Sequence, residues 1–455
     1  MQRNRRHLGE RLHQERNLTA MMDLEVKTVD GKYIVSSPST GAMSLFSPAE
    51  YLTFRCLGQS PEADKGKVIR TVLTGYGCGE EQTERFTKIF LRKLEQQGWF
   101  REQHPEVDPD CCQAVYFSIT TACNMACSYC YIGDDRRQPD HRMDLEDARA
   151  MLRKIKAFSP GVRMAVTGGE PFTHPLIFEI LDEMESLGIS FTLASNAVLI
   201  DQHCASRLSK YTKLHHVQTS LDGMTPEVHS ITRGSTWHDT MKGIRQLIDH
   251  RIPFSIAPTL HEGNLHEVAG IARFAYSNGG FYAPNHLRKF PHSPLAREIT
   301  LDPESLRKSI IETFESVTKE FRPVPEPEQT TEISGNCGSG TRSRYVCGNA
   351  WFSIDIDWNG DVYPCHLLRE KEFILGNLLK EELPVIMERG RNSQTRVRAY
   401  DIPKCKRCPF VATCAGGCRA SAYYNKGTLA AEDEFCEILY KFEVDKLFHS
   451  KNIHP

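Results

Sequence analysis

Apolar positions follow two alternating periods through the middle of the chain. Short runs rich in β-branched and aromatic residues read as strands at Ala114–Thr120, Val162–Thr167, Ser190–Ala194, His215–Leu221 and Phe254–Thr259, with a weaker sixth near Gly280–Ala283. Between them, apolar residues three and four apart predict helices at Asp144–Phe158, His174–Leu187, Gln202–Lys210, Asp239–Arg251 and Leu265–Ser277. Repeated strand–helix units of this size imply an α/β fold with a parallel sheet, open or curved into a barrel. Ligands in such sheets bind at the carboxyl ends of the strands.

Residues 24–103 carry a different pattern. Lys32–Val35 and Ala42–Leu45 read as strands, with Pro38 and Gly41 marking the turn between them. Ser47-Pro48-Ala49-Glu50 is a helix start, in which Ser47 caps and Glu50 completes a capping box. Further helices are expected near Lys65–Thr74 and at Glu80–Gln97, the latter with Phe86, Ile89, Phe90 and Leu94 on one face and Gly98 as its stop. Two strands and three helices suggest a small winged-helix-like domain. Residues 1–23 read as a basic arm. A helix at Pro303–Glu320 and a proline- and glutamate-rich linker at Phe321–Thr331 occupy 301–334, after the repeating strand–helix region of 113–300. A cysteine-rich region covers 335–448.

At 455 residues the chain is long enough for several such units. A net charge of -2 offers no broad surface for a polyanion, which argues against a nucleic-acid partner. The start lacks the apolar core of a signal peptide and no apolar run is long enough to span a membrane, so a cytoplasmic location is expected. Sixteen cysteines change the picture, because clustered thiols in a reducing compartment more often bind metal than form disulfides. Three fall within Cys123–Cys130 and eight between Cys337 and Cys436. Cys56, Cys78, Cys111, Cys112 and Cys204 stand apart as buried or incidental thiols.

Cys123, Cys127 and Cys130 follow the first strand of the repeating region with the spacing C-x3-C-x2-C. Three thiolates hold three irons of a [4Fe–4S] cubane and leave the fourth open to a substrate. A zinc site is the alternative, although no fourth ligand is near in the sequence. With Tyr129 before the third cysteine, the loop resembles the signature of the radical S-adenosylmethionine (SAM) superfamily. The resemblance implies a partial (β/α)6 TIM-like barrel. It also implies that SAM is bound at the open iron and cleaved by one electron to methionine and a 5′-deoxyadenosyl radical. A flavodoxin- or ferredoxin-type donor is the expected source of that electron.

Thr167-Gly168-Gly169-Glu170-Pro171 ends the second strand of that region and resembles the superfamily's GGE motif, which holds the methionine amino group. By itself it is also an ordinary strand-end turn. Ser195-Asn196 resembles the ribose-binding position. Ser220-Leu221-Asp222-Gly223, followed by Arg233-Gly234, resembles another pattern of the same superfamily, in which Arg233 would pair with the methionine carboxylate. Asp222 is equally readable as a turn residue before Gly223.

The last third reads Cys347, Gly360, Cys365, then Cys405, Cys408, Cys414, Cys418 and Cys436, or C-x12-G-x4-C, C-x2-C-x5-C-x3-C and a final Cys. This array resembles the SPASM domain. The resemblance implies two auxiliary [4Fe–4S] clusters with interleaved ligands, three clusters in all. One would use Cys347, Cys365 and Cys418, with Cys337 as a candidate fourth ligand, and the other Cys405, Cys408, Cys414 and Cys436. Two zinc sites are the alternative. His366 stands where sulfatase-maturating relatives carry an aspartate base, and is either a catalytic base or a surface histidine.

The 24–103 domain resembles the peptide-recognition domains of enzymes that modify ribosomal peptides, in which a leader peptide adds as a strand to the sheet edge. Together these features predict a maturase that installs a thioether or carbon–carbon cross-link in a ribosomally made precursor peptide. A sulfatase-type maturase, a small-molecule oxidase of the same superfamily, and a non-catalytic iron–sulfur carrier or sensor remain as alternatives.

Overall fold

The computed structural model describes residues 24–449 except 38–41, 60–62, 76, 98, 101–111, 134–137, 292, 294–297, 299–300 and 322–346. The basic arm, the turn residues Pro38 and Gly41, Gly98, Cys111, the linker after Phe321 and Cys337 lie outside the described residues.

The N-terminal unit is an antiparallel sheet of β1 (Glu25–Val29), β2 (Lys32–Ser36) and β3 (Met43–Phe46), followed by helices α1 (Pro48–Gln59), α2 (Lys65–Gly75) and α3 (Glu80–Gln96). The sheet therefore holds three strands where two are expected. β1 escapes a search for apolar alternation because its central side chains are exposed, as suits an edge strand with one neighbour. The capping box forms as its sequence predicts. Ser47 N donates to Glu50 Oε2 at 2.8 Å and Glu50 N donates to Ser47 Oγ at 3.3 Å.

This unit has its own aromatic core. Phe54 lies 5.0 Å from Phe46 and 4.5 Å from Trp99, and the indole Nε1 donates to Ser44 Oγ at 2.7 Å. Trp99 is fully buried. Trp99→Ala is therefore expected to destabilise the unit by about 3–5 kcal/mol, the range for truncating a buried aromatic. Limited proteolysis should show early cleavage within 24–100 while the rest of the chain persists. Equal resistance of variant and wild type would contradict this.

The central sheet runs in the order β10-β8-β7-β6-β5-β4-β12-β13-β14. Its strands are β4 (Ala114–Ser118), β5 (Arg163–Thr167), β6 (Ser190–Ser195), β7 (Leu214–Thr219), β8 (Phe254–Ile256), β10 (Phe281–Tyr282), β12 (Ser353–Ile356), β13 (Asp361–Tyr363) and β14 (Gly376–Asn377). β4 to β8 and β10 are parallel, with helices α4 (Leu145–Phe158), α5 (Ile177–Ser186), α6 (Gln202–Leu208), α7 (Pro226–Arg233), α8 (Trp237–Asp249) and α9 (Val268–Ser277) in the connections. Val115, Phe117, Val166, Leu193, Val217 and Ile256 point toward these helices and build the largest core.

Two departures from the sequence pattern have local causes. The expected strand Phe254–Thr259 splits at Pro258, which has no N–H for the ladder. Its second piece, β9 (Thr259–Leu260), pairs instead with β11 (Asn285–His286). Helix α7 is absent from the apolar pattern, although its start is legible. Thr225 caps it through Val228 N, and Pro226 follows as the first residue.

The cysteine-rich region does not stand apart from the barrel. β12 pairs in parallel with β4, Ser353 opposite Ala114 through Ile356 opposite Phe117, so the sheet continues into the hairpin β12–β13. Gly360 makes that turn at φ +84°, a conformation that disfavours any side chain, and a Cβ there would sit 2.9 Å from Leu379 Cγ. This accounts for the glycine between Cys347 and Cys365. Helices α10 (Pro303–Glu320), α11 (Leu383–Arg391), α12 (Val411–Cys414), α13 (Arg419–Lys426) and α14 (Cys436–His449) complete the chain. Lys27 of β1 places its Nζ 4.1 Å from the Tyr440 ring centroid, so the N-terminal sheet abuts α14. Among the described residues no helix is long and apolar enough to cross a membrane.

Candidate functional site

The three-cysteine loop leaves β4 and is clamped from two sides. From below, Gly169 N donates to Thr120 O and Glu170 N to Ala122 O, both at 2.8 Å. A Cβ on Gly168 would lie 2.1 Å from Thr120 O, and one on Gly169 would lie 2.1 Å from Ala122 O. Both glycines are therefore required for the end of β5 to dock against the loop. From the side, Ser128 N donates to Thr232 O at 2.9 Å, tying the loop to α7.

Glu170 is buried, and its carboxylate accepts from Ser195 Oγ at 2.8 Å, Asn196 N at 2.7 Å and Phe172 N at 3.2 Å. Burial pushes its pKa up to about 7 against these hydrogen bonds. The carboxylate thus joins the ends of β5 and β6. Asn196 Nδ2 reaches across to Asn124 Oδ1 at 2.8 Å. Ser195 and Asn196, expected at the ribose, stand at the carboxyl end of β6 beside the cysteine loop, and Ser220 lies half-buried at the end of β7.

Asp222 is the hub of the opposite wall. Its Oδ2 accepts from Tyr129 OH at 2.6 Å, Thr232 Oγ1 at 2.8 Å and Arg233 Nε at 2.8 Å, and its Oδ1 accepts from Thr259 N at 2.9 Å. Asp222 is fully buried and Arg233 is 8% exposed. Although burial opposes it, the adjoining Arg233 charge and the Tyr129 hydrogen bond hold the Asp222 carboxyl below its ordinary value. Four donors occupy this carboxylate, so it orients Tyr129 and Arg233 rather than facing a ligand itself. Arg233 Nη1 stands 3.8 Å from Cys127 Sγ, which aims the guanidinium at the cysteine loop.

The C-terminal thiols divide into two groups. Cys347, Cys365 and Cys418 lie within electrostatic reach of one another, and so do Cys405, Cys408, Cys414 and Cys436. The described cysteines are all free. Burial pushes the thiols of Cys123, Cys347 and Cys414 up to about 12 and that of Cys405 to about 11. Buried thiols of this kind become thiolates once a positive charge such as a metal's lies beside them, which fits metal ligation. Among the described residues no three Cys, His, Asp or Glu side chains converge tightly enough to share one metal ion, whereas a cubane distributes its thiolates over separate irons.

His366 follows Cys365, with its ring 4.3 Å from Tyr116 and 5.5 Å from Tyr131. Burial and the Arg369 charge push its pKa down to about 3, so the imidazole is neutral and a weak proton acceptor in this setting. Beside it lies an ion pair that the sequence pattern does not suggest. Arg369 grips Asp355 through Nε–Oδ2 at 2.8 Å and Nη2–Oδ1 at 2.9 Å, and also bonds Ser118 of β4. Its partners come from positions far apart in sequence, and no local spacing announces the contact.

Comparison with known proteins agrees with this geometry. The Radical SAM superfamily matches residues 117–275, and the iron–sulfur cluster-binding SPASM domain matches residues 347–409. The antilisterial bacteriocin subtilosin biosynthesis protein AlbA of Bacillus subtilis is 27% identical over 325 residues, 68% of this chain and 69% of AlbA. An AdoMet-dependent heme synthase of Nitratidesulfovibrio vulgaris is 24% identical over 348 residues, 71% of this chain and 92% of the synthase. Streptococcus suis SuiB, solved bound to its precursor peptide SuiA, shares the fold with a TM-score of 0.58 and 16% identity, covering 92% of this chain and 99% of SuiB.

Proposed function

We propose that this chain, a radical SAM enzyme with a C-terminal iron–sulfur SPASM domain, is a maturase that cross-links side chains of a ribosomally made precursor peptide. The observation that carries the reading is the N-terminal unit. It has a core of its own, and among the described residues β1 and β3 each pair only with β2, so both edges are candidates for an added peptide strand. Its contact with α14 sets β1 beside the second cysteine group, so a peptide added to this sheet would lie near those thiols. The similarity to AlbA supports a peptide substrate.

Cys123, Cys127 and Cys130 would hold one [4Fe–4S] cluster, which would supply the electron for reductive cleavage of SAM to methionine and a 5′-deoxyadenosyl radical. Arg233, fixed by Asp222, would bind the methionine carboxylate. Gly168 and Gly169 would let the backbone approach the amino group, and Ser195 and Asn196 would contact the ribose. Cross-linking removes a hydrogen atom from the peptide, which the 5′-deoxyadenosyl radical takes, and then a second electron and a proton, so two hydrogens are lost per bond. Cys347, Cys365 and Cys418 would hold one auxiliary cluster and Cys405, Cys408, Cys414 and Cys436 another, able to accept that electron. Cys337 is a candidate for the remaining ligand, and His366 would line the substrate space as a neutral imidazole.

Two measurements test this. Anaerobically reconstituted chain should carry about twelve irons, whereas a single cubane with zinc elsewhere predicts about four. Incubated with reductant, SAM and the short peptide encoded beside its gene, the enzyme should lower that peptide's mass by two hydrogens per cross-link. The heme synthase similarity favours a second reading, a small-molecule oxidation, and this is preferred if 5′-deoxyadenosine forms while the peptide mass stays unchanged.

A further inference from the structure

Arg419 begins α13 directly after Cys418 and is only 1% exposed. Among the described residues its guanidinium pairs with no carboxylate. It donates instead to four backbone carbonyls. Gly416 O and Gly417 O belong to the turn between Cys414 and Cys418, while Leu429 O at 2.6 Å and Ala431 O at 2.5 Å belong to the segment leading to Cys436. Asp433, an acid on that segment, is already engaged by Arg288 Nη1 at 3.0 Å and Cys418 N at 2.6 Å. A buried cation held only by neutral carbonyls is costly unless a negative charge lies close. Of the acidic groups that act on it, Cys347 and Cys418 from one group and Cys405 from the other come first, ahead of Asp433.

We infer that Arg419 is a counter-charge shared by the two auxiliary iron–sulfur sites, raising the reduction potential of both while tying their cysteine segments together. The inference rests on the reading that these cysteines ligate clusters. A cubane with four thiolates is a net anion and becomes more negative on reduction, so a fixed neighbouring cation favours the reduced state. In the apolar interior the carbonyl bonds prevent the guanidinium from swinging away. Arg419 is thus a positioning residue, acting on electron transfer through the clusters and touching no substrate.

The test uses full-length wild type, Arg419→Gln and Arg419→Lys, reconstituted alike. Iron is counted first, then the auxiliary signals are followed by EPR during a redox titration. Arg419→Gln removes the charge and is expected to shift the one-electron equilibrium toward the oxidised form at least tenfold, about 59 mV more negative, or to fail to retain the auxiliary irons. Arg419→Lys keeps the charge and should retain wild-type iron with less than a third of that shift. Glutamine with full iron and an unmoved potential overturns the inference. Equal loss of iron in both variants also overturns it, because the side chain would then matter only as a backbone tie. Failure of the underlying cluster reading looks different, since the wild type itself would then carry only about four irons.

Discussion

Cys127→Ala is expected to reduce 5′-deoxyadenosine formation to the level of an enzyme-free control. Cys127 is the proposed middle ligand of a loop that has no spare thiol among the described residues, because Cys123 and Cys130 occupy the flanking positions and the other described cysteines belong to separate groups or stand alone. Its sulfur also faces Arg233 at 3.8 Å, so the truncation removes the proposed iron ligand that lies against the proposed carboxylate-binding residue. Cys204 provides the control. It is half-buried on α6, away from the cysteine loop, and Cys204→Ala should leave SAM cleavage within twofold of wild type. The measurement is 5′-deoxyadenosine by chromatography under excess reductant, with iron counted in each variant. Full cleavage by Cys127→Ala would remove the three-cysteine loop from the chemistry.

Asp222→Ala should be the most damaging change outside the cysteines. It withdraws four hydrogen bonds at once and leaves the guanidinium of Arg233 buried without its partner. Breaking a buried ion pair from one side costs about 3–5 kcal/mol, because the remaining charge stays out of water. In a barrel of this size that corresponds to a fall in Tm of about 10 °C. SAM affinity should fall as well, since among the described residues Asp222 is the carboxylate that holds Arg233 Nε toward the loop. Asp222→Asn separates shape from charge. It keeps an acceptor for Thr259 N and should recover part of the Tm, yet it cannot neutralise Arg233. Calorimetry and equilibrium binding of SAM to the reconstituted chain read the two effects. Unchanged affinity in a folded Asp222→Ala variant would remove Arg233 from the binding site.

The alternation of strand and helix patterns and the cysteine spacings are local properties, legible in the sequence because each reflects chemistry within a few residues, whereas the need for glycine at 168 and 169 comes from the distant loop backbone at Thr120 and Ala122. Thr-Pro at 225–226 is legible too, and helix α7 escapes the apolar pattern because the residues it buries are His229, Thr232 and Arg233. β1 escapes it as well, since an exposed edge strand needs no apolar alternation. Resemblance to a known family carried the proposed ligand sets further than spacing alone allows.

What the tertiary structure decided lies in contacts between distant positions. Asp222 read equally well as a turn residue until folding placed Tyr129, 93 positions away, against the same oxygen as Arg233. Arg369 and Ser118, 251 positions apart, meet because β12 joins the barrel sheet beside β4. Arg419 sits between two cysteine groups because backbone from 416–417 and 429–431 folds around it. The physical reason is the same in each case. Hydrogen bonding and periodicity are encoded in neighbouring residues, but the partner of a buried charge is chosen by packing, which the order of residues does not display.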